Sequence, residues 1–270
     1  MKITFLGGGN MANALIGGLV GKGFAAEDIA VIELSAEGRE RLVAAYGVRA
    51  YAAADAAALA CDVIVLAVKP QQMKSAVAPM LAQLDRQLVV SIAAGLRLED
   101  MSRWLGGHRQ LVRTMPNTPA LIGAGVTGLH ALPEVDAAGR ARAEQVLQAV
   151  GSTVWIDDEA QMDAVTAVSG SGPAYVFLFI EALQQAGEAL GFTPAQARQL
   201  AIETTLGAAK LAAQSAEPAS VLRERVTSKG GTTAAALATM EERGVLAGLV
   251  AGVKAADARG RELGAALGQD

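Results

Sequence analysis

The stretch ITFLGGGNMANALIGGLV at residues 3–20 decides how the rest of the chain is read. Ile3 to Leu6 form a short apolar run suited to a buried strand. Three glycines interrupt it, and an Ala- and Leu-rich run from Met11 to Val20 suits a helix. Gly7, Gly9 and Ala12 therefore make a G-x-G-x-x-A pattern in a strand, turn and helix setting. There the main chain can approach a pyrophosphate, the first helical amides can bind it, and the small third residue lets helix touch strand. The candidate phosphate contacts are Gly7, Gly8, Gly9, Asn10, Met11 and Ala12. A plain tight turn gives the same pattern, but its place in a run of strands and helices favours a dinucleotide site.

Working outward, DIAVIEL (28–34), CDVIVLAV (61–68), QLVVSIAA (87–94) and QLVRTM (110–115) repeat the theme of short apolar runs separated by helix-compatible segments. Such runs are strands covered on both faces, which predicts an α/β fold with a doubly wound, mostly parallel sheet. Ser35 is placed to cap a helix ending at Gly47, and residues 71–84 predict a further helix in which Pro79 is a blemish. From about residue 160 the strand signals stop. Thr193, Pro194 and Gln196 form a capping box with a first-turn proline, opening a long helix. Shorter helices follow from Glu217-Pro218 and from Thr232 to Gly244, with a last one over 245–263. The predicted division is residues 1–158 for nucleotide binding and 159–270 for an all-α domain.

The composition narrows the function. Of 270 residues, 52% are hydrophobic and only 4% aromatic, so the core rests on Ala, Val, Leu and Ile. A net charge of −4 without a basic run excludes the electrostatic footprint of nucleic-acid binding. One cysteine, Cys61, and two histidines make no internal disulfide and no histidine-rich metal cage, so a metal-free mechanism in a reducing, cytoplasmic setting is expected. The N-terminal apolar run is too short for a secretory signal. The uncharged stretch from Ala164 to Ile180 contains Ser, Gly and Pro and falls short of the roughly 20 residues of a membrane span, so it reads as a buried core helix and no membrane partner is expected. The last helices, with VLAGLVAGV at 245–253, bury little within so small a domain, which predicts an intertwined homodimer.

Ligands of open α/β sheets sit beyond the carboxyl ends of the strands. Glu33, Leu34 and Ser35 end the second strand, where a carboxylate accepts ribose hydroxyls and repels a 2′-phosphate; this leans the cofactor toward NADH, with Arg39 on the next helix offering charge to NADPH. Ala67, Val68, Lys69 and Pro70 (in AVKPQ), Ala93 and Ala94 (in IAAG) and Asn117 (in MPNTP) end later strands and complete the cofactor-binding set. In the helical half, VSGSGPAY (168–175) suggests close helix approach, and SKGGTT (228–233) exposes unpaired N–H groups beside hydroxyls, a ready carboxylate site.

Taken together and in this order, FLGGGNMA, AVKPQ, RTMPNTPA, VSGSGPAY and VTSKGGTTAAA resemble pyrroline-5-carboxylate reductases over nearly the whole chain. The resemblance implies a Rossmann domain followed by a helical dimerisation domain, a homodimer that a ring of dimers extends, and reduction of 1-pyrroline-5-carboxylate to proline with NADPH or NADH. It places the substrate carboxylate on Gly230, Gly231, Thr232 and Thr233, beside Ser228, and gives Thr233 the hydrogen bond to the ring nitrogen. Thr233 is therefore the catalytic candidate, and Glu159 a second group facing that nitrogen. Two positions depart from the family: Lys229 stands where many members have proline, and Glu33-Leu34-Ser35 replaces a Ser-, Asn- or basic-rich segment. Two other readings share the nucleotide half: a reductase of another small imine or hydroxy acid, and a non-catalytic NAD(P)H sensor. Residues 162–190 lack the lysine that hydroxyacid enzymes use.

Overall fold

The computed structural model describes residues 1–268; residues 269 and 270, which end the expected helical domain, lie outside the described residues. Two compact units emerge, one formed by Met1–Ser171 with the chain from Ala256 onward, the other by Gly172–Ala255.

The first unit is built on β1 (Ile3–Leu6), β2 (Ile29–Ile32), β3 (Arg49–Tyr51), β4 (Val63–Leu66), β5 (Leu88–Ser91), β6 (Leu111–Met115), β7 (Gly125–Ala131) and β8 (Gly151–Trp155). They form one sheet in the order β3-β2-β1-β4-β5-β6-β7-β8. All pairs are parallel except β6 with β7. β1, β2, β4 and β5 are buried at every residue, as strands covered on both faces must be. One core layer joins Phe5, Leu15, Val31, Val65 and Val90, and the other joins Ile64, Leu66, Met80, Val89 and Met101.

The helices of this unit are α1 (Asn10–Gly21), α2 (Ala36–Tyr46), α3 (Met73–Val77), α4 (Leu98–Trp104), α5 (Ala137–Leu147) and the short α6 (Met162–Val165). Ser35 caps α2 by accepting from Gly38 N, and Gly47 ends it at φ 70°. The helix expected over 71–84 is instead α3 flanked by 3₁₀ turns at Pro70–Gln72 and Ala78–Met80. Pro79 lacks the N–H that a continuous helix needs, so the run breaks there.

The second unit contains α7 (Gly172–Ala189), α8 (Pro194–Gln214), α9 (Ala219–Arg225), α10 (Thr232–Glu242) and the first part of α11 (Val245–Leu267). The capping box at Thr193 and Gln196 forms as the sequence predicts. The expectation of a buried core helix over Ala164–Ile180 fails. No residue of α7 is buried within the chain, and Phe177 and Leu178 are 64% and 66% exposed. An apolar helix of a small unit cannot bury all its faces against three or four others, so the remainder stays uncovered. Val176, Phe179, Val245 and Leu249 line an apolar cleft of about 590 Å³ in this unit. As a single helical run, Glu159–Ala189 is long and apolar enough to cross a membrane by length and composition.

The last turns of α11 return to the first unit. A β-carbon on Gly264 would stand 2.8 Å from the carbonyl oxygen of Gly95, so only glycine lets this helix rest on the loop after β5. Arg103 then donates to the carbonyl of Gly268 at 2.8 Å.

Candidate active site

The β1–α1 junction has the shape that the glycine pattern predicts. Gly7 adopts φ 101°, and a β-carbon there would lie 2.8 Å from the Ala67 carbonyl oxygen, so no other residue fits between β1 and β4. Gly9 is the N-cap of α1 without a side-chain cap, and nothing stands within 4 Å of its would-be β-carbon. The first amides of α1, from Asn10 and Met11, therefore begin beside open space, while Ala12 is buried under the helix.

Gly7, Glu33, Leu34 and Val68 come together around a cavity of about 430 Å³, joined by Ala52 and Gln72. The volume, with Gly7 at the edge, suits the adenosine half of a dinucleotide. Ala52 follows β3, whose three residues were too few for the sequence pattern to reveal, so this wall escaped the sequence reading. Lys69 is exposed at the start of the 3₁₀ turn after β4, with Pro70 as that turn's first residue. Ser35 is spent on capping α2.

Glu33 has a second task besides facing this cavity. Its Oε2 accepts from Gly8 N at 3.0 Å and its Oε1 from Ser35 N at 2.9 Å, so the carboxylate braces the glycine loop against the end of β2. Arg39 Nη1 donates to the carbonyls of Glu33 and Leu34 at 2.7 and 2.9 Å. No carboxylate among the described residues forms an ion pair with Arg39, which is anchored on the main chain of two residues that line the cavity.

Farther along the sheet, Ala93 and Ala94 follow β5, and Thr114 Oγ1 ties β6 to that strand by donating to Ser91 O at 2.9 Å. Asn117 is 9% exposed; its Nδ2 donates to Ser169 O at 3.1 Å and its Oδ1 accepts from Val126 N at 3.0 Å. Glu159 Oε1 accepts from Leu98 N at 2.8 Å and from Arg113 Nη1 at 3.2 Å. Arg113 Nη2 also donates to Asp163 Oδ1 at 2.8 Å. Arg113 stands within RTMPNTPA, and an arginine in the middle of an apolar strand run is the signal in the sequence that it holds a buried partner.

The remaining candidates sit in the helical unit. Gly230 turns at φ 73°, Gly231 donates to Ser228 O at 3.0 Å, and Gly231 is the N-cap of α10. No side chain caps this helix, so the hydroxyls of Thr232 and Thr233 are not used for that purpose. The first intrahelical bond runs from Ala235 N to Gly231 O at 3.1 Å. The N–H groups of Thr232, Thr233 and Ala234 accordingly have no helical acceptor, and a carboxylate meets both free donors and the positive end of the helix.

Comparison with known proteins agrees with this architecture. Residues 159–263 match the family model for pyrroline-5-carboxylate reductase dimerisation. Residues 2–95 match a model described as NADP oxidoreductase, coenzyme F420-dependent. The pyrroline-5-carboxylate reductase of Pseudomonas aeruginosa is 46% identical over 271 residues, covering 99% of this chain and 98% of that protein. The Synechocystis enzyme of the same name is 40% identical, over 98% of each. Among solved structures, a pyrroline-5-carboxylate reductase from Coxiella burnetii superposes with a TM-score of 0.92 at 40% identity, covering 97% of this chain and 98% of that one. That of Plasmodium falciparum, solved with NADP bound, gives 0.87 at 28% identity, covering 98% of both chains. Relatives this similar over their full length show that the chain belongs to the pyrroline-5-carboxylate reductase family.

Proposed function

We infer that this protein is an NAD(P)H-dependent oxidoreductase that reduces the cyclic C=N bond of 1-pyrroline-5-carboxylate to give L-proline, the last step of proline biosynthesis. The observation that carries the reading is the start of α10, where three N–H groups and two hydroxyls stand free at a helix N-terminus in a chain that also holds a dinucleotide loop. A sensor of the cofactor alone has no use for the first of these.

When bound, NAD(P)H supplies the hydride that the imine carbon accepts, leaving NAD(P)⁺. Gly7, Gly8, Gly9, Asn10, Met11 and Ala12 cradle its phosphates, while Ala67, Val68, Lys69 and Pro70, with Ala93 and Ala94, border its ribose and nicotinamide. Ser228, Gly230, Gly231, Thr232 and Thr233 take the substrate carboxylate. The Thr233 hydroxyl orients the ring nitrogen, which either arrives protonated or gains its proton from water relayed through that hydroxyl; alone the hydroxyl is too weak an acid to supply one. Protonation withdraws electron density from the imine carbon, and help of this kind contributes about 10² to 10⁴ fold. Fixing the reactants face to face supplies much of the rest. Glu159, with one oxygen held by Arg113 and Leu98, lends its remaining charge to the ring-nitrogen side of the site.

Both nicotinamide cofactors fit this reading. Glu33 serves the ribose hydroxyls with the lone pairs that Gly8 and Ser35 leave unused, and Arg39 answers a 2′-phosphate. The uncovered apolar faces of α7 and α11 belong to a homodimer formed through the helical domain, in which a second copy covers them. A ring of such dimers in the cytoplasm is the assembly that follows from the family. The decisive assay follows absorbance at 340 nm with pyrroline-5-carboxylate and either cofactor: oxidation yielding proline is expected, and no oxidation with either overturns the assignment.

A further inference from the structure

The carbonyl of Ser169 lacks the i+4 donor of a regular α-helix. Residue i+4 is Pro173, which has no N–H and whose ring would crowd that carbonyl in a continuous α-helix. The chain opens Thr166–Gly170 into a π turn, with Ser171 N donating to Thr166 O at 2.8 Å, and restarts as α7 at Gly172. Turns of this kind occur often at functional sites.

Asn117 supplies the missing donor. Its carboxamide bridges Ser169 O and Val126 N, joining the π turn to the first residues of β7. Beside it, a β-carbon on Gly170 would fall 2.6 Å from Met115 Cε, so the π turn presses against the last residue of β6. Thr114, next to Met115, holds Ser91 O, and Ser91 Oγ accepts from Ala93 N at 3.3 Å. A continuous set of contacts thus runs from Ala93, at the nicotinamide end of β5, to Ser169.

We propose that Asn117 is a positioning residue for hydride transfer: its carboxamide holds the π turn of VSGSGPAY against the carboxyl ends of β5 and β6 and so fixes the wall beside the nicotinamide. The assignment rests on the reductase reading above. Nδ2 and Oδ1 of Asn117 are each engaged by main chain, so in this role it acts through Ser169, Gly170 and Met115.

Asn117→Asp tests this, because it keeps the shape and the acceptor toward Val126 N but turns an acceptor toward Ser169 O. Expected is a fall in kcat of about 10²-fold, the scale of a 1 Å misplacement, with the KM for NADPH within about twofold and the melting temperature close to the parent's. The primary isotope effect with C4-deuterated NADPH rises, since hydride transfer becomes the slow step. Adding Pro173→Ala gives Ser169 O a main-chain donor and recovers part of kcat. A folded Asn117→Asp enzyme with parental kcat and isotope effect overturns the proposal, as does a loss that merely tracks the unfolded fraction or a double variant no better than the single one. A parent enzyme inactive toward the imine sinks the functional reading and this assignment with it; an active parent beside an indifferent variant sinks this assignment alone.

Discussion

Arg113 Nη2 lies 2.8 Å from Asp163 Oδ1, and both side chains are nearly sealed from solvent, at 4% and 10% exposure. The pair ties β6 to α6, and Glu159 closes it from the other side. Removing one member of such a group leaves charge buried without compensation, at a cost of about 3–5 kcal/mol. Arg113→Met is therefore expected to lower unfolding stability by that amount in urea titration. A change under about 1 kcal/mol would show the pair to be dispensable.

Thr233→Ala keeps the free amides of α10 and removes the hydroxyl. Turnover is expected to drop by about 10²-fold, with the NAD(P)H dissociation constant unchanged in fluorescence titration. Equal turnover in mutant and parent would remove Thr233 from the chemistry.

Arg39→Ala removes the guanidinium that sits on the carbonyls of Glu33 and Leu34 beside the proposed nucleotide cavity. A charge-assisted contact to phosphate is worth roughly 1.5–3 kcal/mol, so KM for NADPH should rise by about tenfold or more while KM for NADH stays level. Parallel changes in both would mean that Arg39 only braces Glu33 and Leu34.

Phe179→Asp places a charge in the apolar cleft of the helical unit. Light scattering should then register monomer where the parent gives dimer or larger. A dimer that persists in Phe179→Asp would move the interface elsewhere.

His108 is held below its usual pKa of 6.5, chiefly by burial, with its Nε2 2.9 Å from the carbonyl of Gln87. The unfolded chain protonates this ring first, so between the two pKa values it binds more protons than the native state and stability rises with pH. Acidification below about 6.5 should thus erode stability, and His108→Gln should flatten that slope in melts from pH 7 to pH 5. An unaltered slope assigns the acid sensitivity to other groups.

The sheet was legible wherever apolar runs were long enough. β1, β2, β4, β5 and β6 all stand where Val, Ile and Leu cluster. β3 has only Arg49–Tyr51, β7 carries Gly125, Gly128 and His130, and β8 has no fully buried residue, so periodicity says little about them. Caps were legible because they are local, as at Ser35 and Thr193. The exposure of α7 was not, since hydrophobicity announces burial without saying which chain provides the cover. Nor was the pairing of Asn117 with Ser169, 52 residues apart; Pro173 advertises an orphaned carbonyl, but only the folded sheet reveals which side chain answers it.

Because α11 hands its last turns back to the first unit, that unit is assembled from two stretches separated in sequence by the whole helical unit. A nascent chain on the ribosome can pair all eight strands long before Gly264 emerges, yet the loop at Gly95 waits for it. Cover for that loop is thereby deferred until residues 264–268 have been made, and deleting them should loosen the loop after β5 before it disturbs the sheet.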